Sequence, residues 1–284
     1  MPYQLLILRK DWFSADVTPD KFQVLLQILN KGYAKPMAQY GLIESLRIKY
    51  HQNFLKDLQL DPASVANQDK DFAIMILVGS KSDFKRLEAH AGYIRRFNPE
   101  IYPLSGLSDS DIPMELASEF GPLTAENVEH VTLAPSARID VDVADRVLAT
   151  VGLKTYQDDG YFSDSDFLAD TKHYEITGLT SFMRGTGSGI INHVIRLFFF
   201  SKPSFLKPEH VLKTVLHAIV IKEHELVPFY QKAFGFVPST HPDILIKMAG
   251  SESPLEDGIK ASRDFSITFM RKEIFSQSVD TCVV

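Results

Sequence analysis

The run Arg184-Gly185-Thr186-Gly187-Ser188-Gly189 constrains this chain more than any other stretch. His173 to Ser181 before it reads as a β-strand, and Ile190, Ile191, Val194, Ile195 and Phe198 after it recur at the spacing of one helix face. Glycines between a strand and an apolar helix predict a tight β-to-α junction, because a residue without a side chain turns sharply and lets another group approach its amide. Amides at a helix start have no intrahelical acceptor and carry partial positive charge, which suits a phosphate or pyrophosphate. The same glycines would also serve a plain connector.

The letters exclude two common phosphate binders. Gly185-Thr186-Gly187-Ser188-Gly189-Ile190 lacks the third glycine of the dinucleotide fingerprint and sits late in the chain. No Lys-Ser/Thr pair follows, so a Walker A loop is absent. Around the turn the pattern is mixed α/β. Residues 3–9 are β-compatible, Thr18-Pro19-Asp20 starts a helix that Gly32 can stop, and Pro36 opens a second helical stretch reaching Leu55. Phe72 to Val78 reads as a buried strand, and 81 to about 145 as a long, partly irregular insertion rich in proline and charge. Arg146 to Tyr156 and Thr214 to Ile221 read as strands, Glu223 to Phe234 as a helix, and Ile244–Ile246 and Phe265–Met270 as closing strands.

Composition narrows the class without naming a chemistry. With 284 residues, 45% hydrophobic and 23% charged, the chain has the profile of a soluble globular protein with a sizeable core. A net charge of −6 argues against nucleic acid as a partner. No apolar run is long enough to span a membrane and no secretory leader is expected. The single cysteine, Cys282, allows no intrachain disulfide or multi-cysteine metal site and lies one place off a prenylation signal. These features predict a cytoplasmic protein, with the nucleus open.

The turn resembles the Arg/Gln-x-x-Gly-x-Gly/Ala signature of the GNAT superfamily of acyl-CoA-dependent N-acyltransferases. Arg184-x-x-Gly187-x-Gly189 fits the letters. A register from Phe182 places Arg184-Gly185-Thr186-Gly187 on the common Arg-Gly-x-Gly form and fits the apolar helix positions better. Ala218 to Phe236, ending Phe-Tyr-x-Lys-x-x-Gly-Phe, resembles the family's fifth strand and fourth helix. The resemblance implies one GNAT-like domain over 1–284, with a mixed, mostly antiparallel central sheet flanked by helices and an insertion at about 81–145. It implies an N-acetyltransferase using acetyl-CoA as co-substrate and an amine, small molecule or protein, as acceptor, with no metal. Tyr230 matches the family's general acid, and Glu175 is the first choice of base, with His173 and Asp170 as alternatives. Amides from Phe182, Met183, Arg184, Gly185, Thr186, Gly187, Ser188 and Gly189 would hold the CoA pyrophosphate, and Leu179, Thr180 and Ser181 the thioester and pantetheine.

Other readings stay open. Phe229, Tyr230, Phe234 and Phe236 also suit a core. The acidic loop with Asp158, Asp159, Asp164, Asp166 and Asp170 could draw a cationic amine or simply be solvated, and its spacing does not match a calcium loop. His217, His224 and His241 match no metal-ligand spacing. A glyoxalase-type metalloenzyme of the vicinal-oxygen-chelate class would also account for Val215 to Phe236, and a non-catalytic module binding acyl-CoA or a protein for the insertion.

Overall fold

Phe72 to Val78 is buried at every position, as an uninterrupted apolar run with no turn residue demands. It is β2 of a nine-stranded sheet in a computed structural model that describes residues 3–58, 60, 71–95, 111–156, 171–200, 213–248 and 260–275. The other strands are β1 (Tyr3–Arg9), β3 (Val128–Thr132), β4 (Val147–Thr155), β5 (Thr171–Ser181), β6 (Lys213–Ile221), β7 (Val237–Pro238), β8 (Ile244–Ile246) and β9 (Phe265–Phe275). Their order is β3-β1-β2-β4-β5-β6-β9-β7, with β8 beside β9. Neighbours are antiparallel except β1 with β3 and β5 with β6. The fold class is the expected one: a mixed α/β protein whose large, mostly antiparallel sheet is flanked by helices.

Strand alternation sends successive side chains to opposite faces, so each face carries its own core. Leu5, Ile7, Met75, Tyr174 and Leu216 pack with α6 (Thr186–Ile195), α7 (Leu226–Phe234) and Leu87 of α4 (Lys81–Ala91). Leu6, Leu8, Ile74 and Ile76 pack under α1 (Lys10–Ser14), α2 (Pro19–Tyr40), α3 (His51–Asp57) and α5 (Val141–Arg146). Trp12, Phe13, Phe22 and Phe72 form an edge-on aromatic knot there, with neighbouring ring centroids 4.8–5.2 Å apart.

Two expectations about the helices are corrected. No break occurs at 32–36: α2 continues through Pro36, and the next helix is only His51–Asp57. Pro36 lacks the N–H that would reach the Gly32 carbonyl. The helix is held instead by packing, since a Cβ on Gly32 would fall 2.1 Å from Thr180 Cγ2 of β5. The described parts of the 81–145 stretch, 81–95 and 111–145, also carry regular elements that the reading as an insertion does not name. They supply α4, α5 and the edge strand β3, which runs parallel to β1 from Tyr3↔Val128 to Ile7↔Thr132. Val128, Val131 and Thr132 favour a strand, but five residues are too short a run to read as one, and pairing with β1 completes it.

Candidate functional site

A bulge opens the sheet at its centre. Opposite β4, the register of β5 slips between Gly152↔Thr177 and Thr150↔Thr180, so Gly178 and Leu179 together face Val151. Gly178 has φ +56°, a conformation glycine adopts without strain. Thr150 Oγ1 locks the bulge by donating to the Gly178 carbonyl at 2.6 Å, and it also lies 2.8 Å from Thr180 Oγ1. A bulge bends its strand, and β5 parts from β6 at this point. Their pairing ends at Ile176↔Ala218, while β5 runs on to Ser181 and β6 to Ile221. The edge of β5 from Thr177 to Ser181 therefore borders an opening in the strand pairing.

The glycine turn stands at the mouth of this opening. Gly185 caps α6 with φ +85°, and no side chain caps the helix. The Gly189 amide bonds the Gly185 carbonyl at 3.1 Å. Those of Gly187 and Ser188 have no acceptor among the described residues. Thr186 Oγ1 fastens the turn to the Leu148 and Met183 carbonyls at 3.0 and 2.7 Å. Two glycines also have packing reasons to be glycine. A Cβ on Gly187 would lie 3.3 Å from Ser181 Cβ, and one on Gly189 would lie 2.7 Å from Leu123 Cδ2. Arg184 is exposed, with Nη1 2.8 Å from Met114 Sδ, and Met183 and Phe182 are buried.

Tyr230 of α7 lies in the core on the α6 side of the sheet. It is buried among Phe229, Phe234 and Phe236. Burial pushes its phenol above the ordinary range, with Tyr33 and then Glu175 adding to the rise, so it stays protonated. Glu175 of β5 projects to the α2 side and pairs with Lys154 of β4 at 3.1 Å, both largely covered. His173 Nδ1 lies 2.8 Å from His217 Nε2 on the same face, and Tyr156 stacks on His217 with centroids 4.1 Å apart. Tyr230 and Glu175 thus lie on opposite faces of the sheet, and the carboxylate reaches the phenol only through its charge. His224 stacks on Tyr40 and His241 packs edge-on against Phe269. Among the described residues no three His, Cys, Asp or Glu side chains converge on a metal position. Asp158, Asp159, Asp164, Asp166, Asp170 and Cys282 lie outside the described residues.

Gly178, Tyr33, Lys35 and Asp111 escaped the sequence reading. Gly178 left a signal, a glycine inside a strand-like run, which marks a bulge. Lys35 of α2 donates to the Ser181 carbonyl at 2.5 Å and pairs with Asp111 at 2.8 Å, and no motif announces either residue. A separate depression of about 390 Å³ lies against the first half of α2, but its most buried polar group, Asn30, is spent on both backbone groups of Ile48.

The family model of sporulation protein RMD6 matches residues 1–274. The chain belongs to the sporulation protein RMD6 family. Sporulation protein RMD6 of Saccharomyces cerevisiae (strain ATCC 204508 / S288c) is 26% identical over 250 residues, covering 88% of this chain and 87% of that protein. Among solved structures, the ribosomal-protein-alanine N-acetyltransferase from Brucella melitensis aligns at 14% identity and a TM-score of 0.25. That alignment covers 46% of this chain and 64% of the other, just under two thirds of its length. At that score it carries no argument about this family.

Membership over nearly the whole chain overturns the placement in the GNAT superfamily, and with it the N-acetyltransferase function. The motifs behind that placement are short and have local causes. A glycine at φ +85° and glycines pressed against Ser181 and Leu123 meet the needs of this β-to-α junction itself. The glyoxalase-type alternative falls to the same family match. No helix among the described residues is long and apolar enough to cross a membrane.

Proposed function

We propose that this protein serves sporulation by holding a phosphate-bearing small molecule in the opening between β5 and β6. The role in sporulation follows from the name of its yeast relative. The observation that carries the ligand is the bulge at Gly178, which parts the strands and sets the uncapped start of α6 at the mouth of the gap. The Gly187 and Ser188 amides suit a phosphate or pyrophosphate, and the nearby Arg184 adds positive charge. The stretch of β5 that β6 leaves unpaired suits an extended polar chain, because strand main-chain groups are already arranged to pair. Acetyl-CoA combines both pieces and is the first ligand to test.

Calorimetry with acetyl-CoA and with pyrophosphate tests this. Ser188→Pro removes one first-turn amide that has no acceptor within the helix, and should weaken both ligands by about tenfold, the worth of roughly one charge-assisted hydrogen bond. In the organism that carries this chain, the same change should lower spore yield. No binding of either ligand at millimolar concentration defeats the proposal.

A further inference from the structure

Lys35 occupies an unusual position for a helix lysine. It precedes Pro36 near the end of α2, yet its ammonium lies at the mouth of the β5–β6 opening. Phe182 N–H bonds Leu148 O of β4 at 2.8 Å, so in an antiparallel ladder the preceding residue turns its main-chain groups the other way. The Ser181 carbonyl therefore faces the opening, and Lys35 Nζ donates to it at 2.5 Å. Ser181 also touches the start of α6, through its hydroxyl 3.0 Å from Thr186 Oγ1 and its Cβ against Gly187. Lys35 and the first amides of α6 thus flank one residue from two sides.

Asp111 holds this ammonium. Its carboxylate lies 2.8 Å from Lys35 Nζ, with side chains 45% and 29% exposed respectively. Its backbone is fixed, since Tyr93 donates to the Asp111 carbonyl at 3.2 Å and the next amide, that of Ile112, donates to the Phe182 carbonyl at 2.7 Å. The Phe182 ring lies beneath both Lys35 Nζ, 5.6 Å from its centroid, and the Arg95 guanidinium, 5.1 Å away, and Arg95 feels the charge of Asp111. Asp111 thus pairs directly with Lys35 and acts on the buried Arg95 only through its charge. A partly solvated ion pair of this kind is weak enough to exchange partners.

We infer that Lys35 is a second anion contact of the opening, and that Asp111 competes with the ligand for it. Asp111 is an internal carboxylate standing where an anionic group of the ligand binds. Ligand entry frees it, and segment 111–124, which covers the turn through Ile112, Met114 and Leu123, loses one of its ties. The inference rests on the ligand reading above and adds the control of that site.

Titration of acetyl-CoA and pyrophosphate into wild type, Asp111→Asn, Lys35→Met and the double variant separates the two. Asp111→Asn should bind about three- to tenfold more tightly, as loss of one partly exposed charge competitor predicts. Asp111→Ser should move in the same direction. Lys35→Met should bind more weakly and with a shallower salt dependence, and in its background Asp111→Asn should lose its effect. Wild-type binding that neither Asp111 variant tightens overturns the inference and leaves the ligand reading standing. Absence of wild-type binding overturns both.

Discussion

His130 of β3 and His193 of α6 meet with their Nε2 atoms 2.8 Å apart, a contact in which one ring must be neutral to accept the proton of the other. Burial, then His130, then Arg196 push His193 down to about 4, and burial lowers His130 as well. The folded protein therefore refuses protons that the unfolded chain takes up below the ordinary histidine value of about 6.5. Stability present above that pH is lost as the pH falls toward 4. Thermal melts across this window should show the loss, and His193→Gln should flatten it; equal slopes in both proteins would contradict the account. Lys21 makes a second residue-level case. Its ammonium is buried and donates to the Trp12 carbonyl at 2.5 Å, to that of Pro135 at 2.6 Å and to that of Ala15. Lys21→Met should cost about 3 kcal/mol in urea unfolding, because three carbonyls lose a charged donor; an unmoved midpoint would show that they find other partners. Neither feature was legible in the sequence, because a lysine in a helix's first turn and two histidines 63 residues apart belong to no local pattern.

At the scale of elements, β2, β4 and β6 were legible because long apolar runs bounded by turn residues admit few alternatives, while residues 3–9 were β-compatible but too short to tell strand from helix. α2 and β3 were not legible. The course of α2 past Pro36 depends on its packing at Gly32 against Thr180, and β3 depends on the edge of β1. Both causes lie far away in the chain. The candidate site divides in the same way: the glycine turn is a local pattern, Tyr230 and Glu175 come from a resemblance that the family match overturns, and Lys35, Tyr33 and Asp111 arrive through tertiary packing. Gly32→Ala tests the helix–sheet contact. Its methyl would overlap Thr180, and overpacking of this kind costs about 1–3 kcal/mol. Gly121→Ala, where a Cβ meets nothing within 4 Å, should be nearly neutral by comparison. Similar losses from the two substitutions, measured by chemical denaturation, would show that α2 is not pressed against β5.

For the whole molecule, one sheet carries a core on each face, so neither face can melt while the other keeps its strands. Phe22→Ala on the α2 side and Phe236→Ala on the α7 side should each cost about 3–5 kcal/mol and lower one common transition. Two separate transitions in either variant would contradict a shared fold. The same sheet joins fold to function, because the bulge that parts β5 from β6 makes room at the centre of the molecule without interrupting either core. The most direct test is to follow backbone amides by NMR while pyrophosphate and then acetyl-CoA are added. The account predicts the largest shifts at Gly187 and Ser188 for both ligands, with Thr177 to Ser181 responding to acetyl-CoA. Shifts confined to other surfaces, or none at millimolar ligand, would contradict it.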